Sequence, residues 1–268
     1  MSDRGTILVG AVAYHPRIVT IWERFRDYFD GAGVPTDYVL YSNYERLVDA
    51  LLGGDVHIAW NTNTAYVAAE HRIGGGARLL GMRDVDADFR TVFVTRRGEA
   101  FEALGELTDK RVALGSRDSG HAAILPVHWL REAGANSELV RFDTDLGKHG
   151  DTGDSEIRVV EAVTRGDADA GAIGDATWAA LRIEGHPAVV DLEIAWRSPS
   201  YYHCNFTALP SLDPSWVAAW SEALLAMSYD DPTLRPAMDL EGVRRWLEAD
   251  KDGYVELTDA MRRQGYLG

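Results

Sequence analysis

Ser116-Arg117-Asp118-Ser119-Gly120-His121 is the segment of this chain whose residue types and spacing point most directly to chemistry. It lies between an apolar run ending at Leu114 and a stretch of helical period beginning near Gly120, so the unpaired N–H groups of a helix start fall beside two serine hydroxyls. Oriented amides and hydroxyls together make an anion cradle. A plain serine N-cap on a surface helix has the same spelling, and spacing alone leaves both readings open.

Trp60-Asn-Thr-Asn-Thr64 follows a predicted strand and precedes a predicted helix, the position where ligands bind in open α/β sheets. Asn61, Asn63 and Thr64 offer hydrogen bonds to a ligand there; Thr62 or Asn63 can equally cap the next helix. Tyr14-His15-Pro16 holds the equivalent place after the first predicted strand, with Pro16 read as the first helical residue. Of eight histidines, His15, His121, His149 and His203 fall on predicted loops or element starts, whereas His57, His71, His128 and His186 read as structural. Imidazoles converging with Asp or Cys can hold a divalent metal. They can also transfer protons near neutral pH, which makes His15, His121 and His203 the catalytic candidates if the chain is an enzyme. No HExxH or other short metal-ligand spacing occurs, so no metal ligands are assigned; no cofactor is expected for certain, and a divalent metal stays open. Cys204 reads as a small buried side chain with no basic neighbour evident.

The elements that must position these groups follow from pattern. The 268 residues are 46% hydrophobic and 26% charged, an ordinary globular composition long enough for one large domain or two lobes. A single cysteine rules out an internal disulfide framework and any multi-cysteine cluster. The formal charge of −15 disfavours nucleic acid and anionic lipid as partners. No apolar stretch approaches the ~20 residues of a membrane helix. Ala11-Val12-Ala13 matches a small-x-small cleavage site, but Arg4 is offset by Asp3 and cleavage would remove the first strand. The expected location is the cytoplasm, or the periplasm or another extracytoplasmic site if the chain has been trimmed.

Val- and Ile-rich runs alternate with helical periods, which is the pattern of an α/β fold. Strands are predicted at 6–13, 37–41, 56–59, 89–95, 111–114, 138–142 and 169–173, and helices at 16–31, 43–53, 63–72, 120–133, 155–165 and 175–183. Ser42-Asn-Tyr-Glu45 has capping-box spacing ahead of the stripe Leu47, Val48, Leu51 and Leu52. After residue 212 the pattern is helical to the end, opening at Asp213-Pro214 and placing Trp216, Val217, Trp220, Leu224 and Leu225 on one face.

Tyr44-Glu-Arg-Leu-Val-Asp-Ala-Leu-Leu-Gly-Gly-Asp-Val-His-Ile-Ala-Trp60 resembles a segment of the type II periplasmic binding proteins, in their phosphate, phosphite and phosphonate branch. Lys110-Arg-Val-Ala-Leu-Gly-Ser-Arg-Asp-Ser-Gly-His121, Val160-Glu-Ala-Val-Thr-Arg-Gly-Asp-Ala-Asp-Ala-Gly171 and Gly174-Asp-Ala-Thr-Trp178 agree in order and spacing, so the resemblance covers most of residues 5–210. It implies a two-lobed fold of mixed sheets flanked by helices, with a ligand cleft between the lobes and hinge crossings near 82–92 and 192–202. Lobe one would be 1–86 and 200–268, and lobe two 87–199. The implied ligand contacts are Tyr14, Asn61, Asn63, Thr64, Ser116, Ser119, Gly120, His121, His149, Asp175 and Tyr202. Asp175 matches the family's cleft acid, although an aspartate after a strand is also an ordinary N-cap. The stretch Tyr201-Tyr-His-Cys-Asn-Phe206 departs from the relatives, which usually show Pro-rich sequence there.

The resemblance implies a noncatalytic receptor for a small oxyanion such as phosphate, phosphonate or a carboxylate, like the substrate-binding proteins of phosphonate ABC transporters. Two alternatives stay open at this level. One is a cytoplasmic enzyme on the same scaffold, of lyase, decarboxylase, dehydratase or hydrolase class, using the cleft histidines with or without a divalent metal. The other is a sensor that passes ligand occupancy to a partner protein. Oligomeric state has no signature in the sequence.

Overall fold

The first apolar run becomes β1 (Ile7–Val12), followed by α1 (Arg17–Gly31), β2 (Thr36–Tyr41), α2 (Tyr44–Gly53), β3 (Ile58–Asn61), α3 (Asn63–Arg72) and β4 (Arg78–Arg83). The chain continues through β5 (Thr91–Arg96), β6 (Arg111–Leu114), a π turn at Gly120–Ile124, α4 (Leu125–Glu132), β7 (Glu138–Arg141), α5 (Asp154–Arg165), β8 (Ala170–Gly174), α6 (Asp175–Ile183) and β9 (Leu192–Arg197). It ends with β10 (Asn205–Ala208), α7 (Pro214–Leu225), α8 (Arg235–Glu241), β11 (Trp246–Leu247) and α9 (Val255–Arg263). This computed structural model describes residues 5–268, so Asp3 and Arg4, which weighed in the leader-peptide reading, lie outside the described residues. Among the described residues no helix is long and apolar enough to cross a membrane.

The chain divides into two compact units. One runs to Asp88 and resumes over Tyr202–Tyr254; the other comprises Phe89–Tyr201 with Val255–Gly268. Residues 255–268, expected with lobe one, go with the second unit instead, because α9 packs on α4 and the π turn.

The first unit is built on a six-stranded sheet of order β11-β4-β10-β3-β1-β2. β2, β1 and β3 run parallel, and β10 enters antiparallel between β3 and β4. α1 presents Ile18, Ile21, Trp22, Phe25 and Phe29 on one stripe, as a 3.6-residue period requires. That stripe meets Trp60, Phe206, Trp220 and Trp246, with Phe29 stacked on Trp220 at 4.8 Å. Pro16 already has helical backbone angles but stands at the cap, one residue before the position read from sequence. α2 packs on the opposite face through Leu47, Val48 and Leu51. Its cap is Asn43, whose side chain accepts the Arg46 N–H, and not Ser42 as the capping-box spacing suggested. At the far end Gly54 takes a left-handed φ of 80°, the conformation glycine adopts without steric cost.

The second unit holds a five-stranded sheet of order β7-β6-β8-β5-β9. β7, β6 and β8 are parallel, and β5 is antiparallel to both β8 and β9. α5 lays Val159, Val160, Ala162 and Val163 on this sheet. The approach is close enough that a Cβ on Gly171 of β8 would stand 2.5 Å from Val159 Cγ1. Such contact between layers is what fixes the loops at the strand ends. The tail expected to be all helix contains α7, α8 and α9, interrupted by β11, which pairs with β4.

Candidate functional site

In the second unit, β6 ends at Leu114 and delivers Ser116 and Ser119, both wholly buried. Ser119 caps the π turn, its Oγ accepting the Ala122 N–H at 3.2 Å. The capping alternative is therefore real, but a hydroxyl that accepts from the backbone still has its own proton to donate. The Ala123 and Ile124 N–H groups both reach the Ser119 carbonyl, so the turn opens by one extra residue, a distortion common at functional sites. Gly120 is buried, and no acceptor among the described residues takes its N–H. A buried donor of this kind is what an incoming anion would satisfy. Ser116 is committed elsewhere: its Oγ donates to Asp145 and accepts the Asp145 N–H at 3.2 Å. It holds the following loop and does not offer a proton, which corrects the expectation that both hydroxyls face a ligand.

His121 points into the unit. Its Nε2 lies 3.3 Å from Glu156 Oε1, its Nδ1 3.4 Å from Ser119 Oγ, and its ring tilts against Phe89. Burial disfavours the charged imidazole, but the Glu156 carboxylate, with Asp151 and Asp145 adding to it, raises the His121 pKa. Glu156 also accepts the Gly174 N–H at 2.7 Å and the Thr177 hydroxyl at 2.6 Å. One carboxylate thus ties the π turn to the start of α6. Asp175 is the first residue of that helix, with Gly174 as its N-cap, and its carboxylate reaches Arg197 at 3.4 Å. Burial pushes the Asp175 carboxyl up despite that arginine.

The loop 143–153 covers the serine turn. Thr152 donates to Asp145 at 2.9 Å, and Gly150, at a φ of 89°, is so close that a Cβ would sit 2.9 Å from Ser119 Oγ. His149, at a φ of 55°, places Nε2 at 3.9 Å from Asp118. Burial raises the Asp118 carboxyl to about 6. α9 fixes the other side: Gln264 donates to the Ile124 carbonyl and Tyr266 to the Arg117 carbonyl. Sequence reading did not connect the C-terminal residues with this turn.

In the first unit, His15 is exposed, with Nδ1 accepting the Arg17 N–H at 3.2 Å as a local cap, and Tyr14 lies partly buried against the core. Thr62 caps α3 through the Ala65 N–H, so the bland reading of that threonine holds. Asn63 accepts from Thr64 and donates to the Tyr202 carbonyl at 3.2 Å. Asn61 donates to Thr207 at 3.1 Å, and its Oδ1 is buried and takes no hydrogen bond among the described residues. Tyr202 stacks edge-on to Tyr254. The four candidate histidines divide two and two: His15 and His203 in this unit, His121 and His149 in the other. His57, His128 and His186 behave as expected of structural residues; for example, His57 Nδ1 accepts the Leu8 N–H at 2.9 Å.

His203 is 5% exposed and lies beside Asp86 and Cys204. Its Nδ1 is 3.1 Å from Cys204 Sγ, so the cysteine does have a basic neighbour, contrary to the sequence reading. Arg83 grips Asp86 with two hydrogen bonds of 2.6 and 2.9 Å and also reaches Glu241. Burial opposes the Asp86 charge, yet Arg83 and His203 hold its carboxyl down at about 2.

Two units, each an α/β sheet with its loops at the strand ends, and an anion-suited helix start define the type II periplasmic-binding-protein fold. The sequence model for the phosphonate ABC transporter periplasmic substrate-binding proteins matches residues 9–254, and the chain belongs to that family. Comparison with curated protein sequences finds no match. Among solved structures, PhnD1 from Prochlorococcus marinus in complex with methylphosphonate superposes with a TM-score of 0.75 at 19% identity, covering 97% of this chain and 98% of that one. A Xanthomonas citri protein bound to ATP gives 0.76 at 19% identity, with 97% and 98% covered. The periplasmic aliphatic sulphonate binding protein SsuA from Escherichia coli gives 0.67 at 13% identity, with 99% and 94% covered. At these identities the likeness establishes the fold.

Proposed function

We propose that the chain is the noncatalytic substrate-binding component of a phosphonate transporter, and that a phosphonate oxyanion docks at the Ser119–His121 turn. Membership of the phosphonate-binding family supports the ligand class. The observation that carries the site is the buried Gly120 N–H with no acceptor beside the Ser119 hydroxyl. A tetrahedral anion there accepts both protons and lies on the positive end of the turn. His121, whose pKa Glu156 raises, adds to the attraction when protonated.

Calorimetry with methylphosphonate, inorganic phosphate, methanesulfonate and acetate tests this reading. Methylphosphonate is expected to bind tightest, and Ser119→Ala to weaken it by about 1 to 3 kcal/mol for a lost hydrogen bond to a charged group. Absence of binding heat with all four anions, or an unchanged affinity in Ser119→Ala, overturns the assignment.

A further inference from the structure

In the first unit, Asp86, His203 and Cys204 bring one oxygen, one nitrogen and one sulfur to within 4.8 Å of one another, all three residues buried. We infer that this cluster is a binding site for a soft divalent cation, zinc being the ion whose ligand chemistry it suits. Zinc takes thiolate, imidazole and carboxylate together, and three protein ligands leave a fourth position for water.

The spacing fits. Usual zinc bond lengths put nitrogen and oxygen ligands about 3.3 Å apart, and sulfur and nitrogen ligands about 3.5 Å apart. His203 Nδ1 lies 3.4 Å from Asp86 Oδ1 and 3.1 Å from Cys204 Sγ. The same imidazole nitrogen therefore faces a carboxylate and a sulfur. A nitrogen that donates to Asp86 has no lone pair for the thiol, and one that accepts from the thiol turns its lone pair on the carboxylate. A cation, unlike a single proton, can take a lone pair from all three at once.

The surroundings are those of a metal site. Arg83 holds both oxygens of Asp86 and so orients the carboxylate, the service that outer hydrogen bonds perform for metal ligands. Asp86 and Glu241, both buried, share the one Arg83 guanidinium, so the group carries one more negative than positive charge, which a divalent ion offsets. The two ligand segments are far apart in sequence, and the His203 N–H already bonds the Asp86 carbonyl at 3.0 Å. A shared ion would pin these segments a second time, just where the chain leaves the first unit after Asp88 and returns at Tyr202.

Cobalt reports directly on the thiolate. Chelator-treated protein, both as purified and after refolding with the metal, is titrated with Co2+ alone and then competed with Zn2+. One equivalent of Co2+ with a near-ultraviolet sulfur-to-cobalt band, displaced by Zn2+, is the expected result. Cys204→Ala, a small-for-small change in a buried position, should abolish the band, and His203→Asn should weaken Co2+ binding at least about tenfold. Lack of stoichiometric uptake by either route overturns the proposal. So does uptake that Cys204→Ala and His203→Asn leave unchanged, because the ion would then be held elsewhere. Methylphosphonate calorimetry on the same variants separates this site from the anion site: its affinity should persist when cobalt binding is lost.

Discussion

The His121 ring nitrogen Nε2 stands 3.3 Å from Glu156 Oε1, with both side chains almost wholly shielded from water. Because the imidazole pKa is raised in the folded state, its protonation stabilises the fold fully below the unfolded value near 6.5. That contribution is lost as pH rises through the folded value. Glu156→Gln removes the charge responsible, so the variant's unfolding free energy should vary less with pH above about 6.5 than the wild type's. It should also be less stable throughout by about 1 to 3 kcal/mol, since Gly174 and Thr177 lose a charged acceptor. Urea unfolding at a series of pH values measures both; parallel pH profiles would refute the coupling.

Asp118 is shifted against the usual direction for a carboxyl group, so its contribution, like that of His121, is lost as pH rises. Burial lifts it to about 6, with Asp145 and Asp143 adding to the rise against the Gly147 N–H. A carboxyl raised above its unfolded value of about 3.9 favours the fold while protonated. This stabilisation is complete below about pH 4 and is lost as pH rises through about 6. Asp118→Asn should therefore be more stable than wild type at pH 7.5, by about 1 to 2 kcal/mol after allowing for water at the group. The gap should close below pH 4. Thermal melts at the two pH values decide it.

Gly150 has no room for a side chain. Its φ of 89° disfavours any L residue, and a Cβ would meet Ser119 Oγ at 2.9 Å and the His121 ring at 3.1 Å. Gly134 has a φ of 71° with nothing within 4 Å, so Gly134→Ala bears the backbone cost alone, about 1 to 2 kcal/mol. Gly150→Ala should cost more than Gly134→Ala and, unlike it, should weaken methylphosphonate binding. Equal losses of stability with unchanged affinity would show that the loop does not shape the turn.

Much of this architecture was legible from apolar periodicity. The parallel strands β1, β3, β6 and β8 are runs rich in Val, Ile, Ala and Leu, and a strand buried on both faces needs no other signal. β10 was missed because Asn205 and Thr207 look like loop residues. They are wholly buried and satisfied by partners distant in sequence, Thr207 by Asn61 and Asn205 by Tyr254. β4 was missed for a related reason, since Gly81 and two flanking arginines blur its pattern. The serine turn was readable because its chemistry is local, a strand end followed by a helix start. The Asp86, His203 and Cys204 cluster was not: its acid comes from the outgoing chain and its other two side chains from the return. Adjacent residues such as His203 and Cys204 give no spacing to recognise, and only the folded backbone turns both toward Asp86.

The return of the chain has a consequence for biosynthesis. β10 and β11 complete the first sheet, yet they are translated only after β5 to β9, and Gln264 and Tyr266, which brace the serine turn, come later still. The first unit therefore lacks parts until translation has passed Tyr254, and the second until it has passed Tyr266. From the completion of β4 at Arg83 until β10 is made, the nascent chain carries β3 and β4 without the strand that belongs between them. Exposed strand edges of that kind are the aggregation hazard of an incomplete sheet, and the order of the elements keeps this one open until β10 is made.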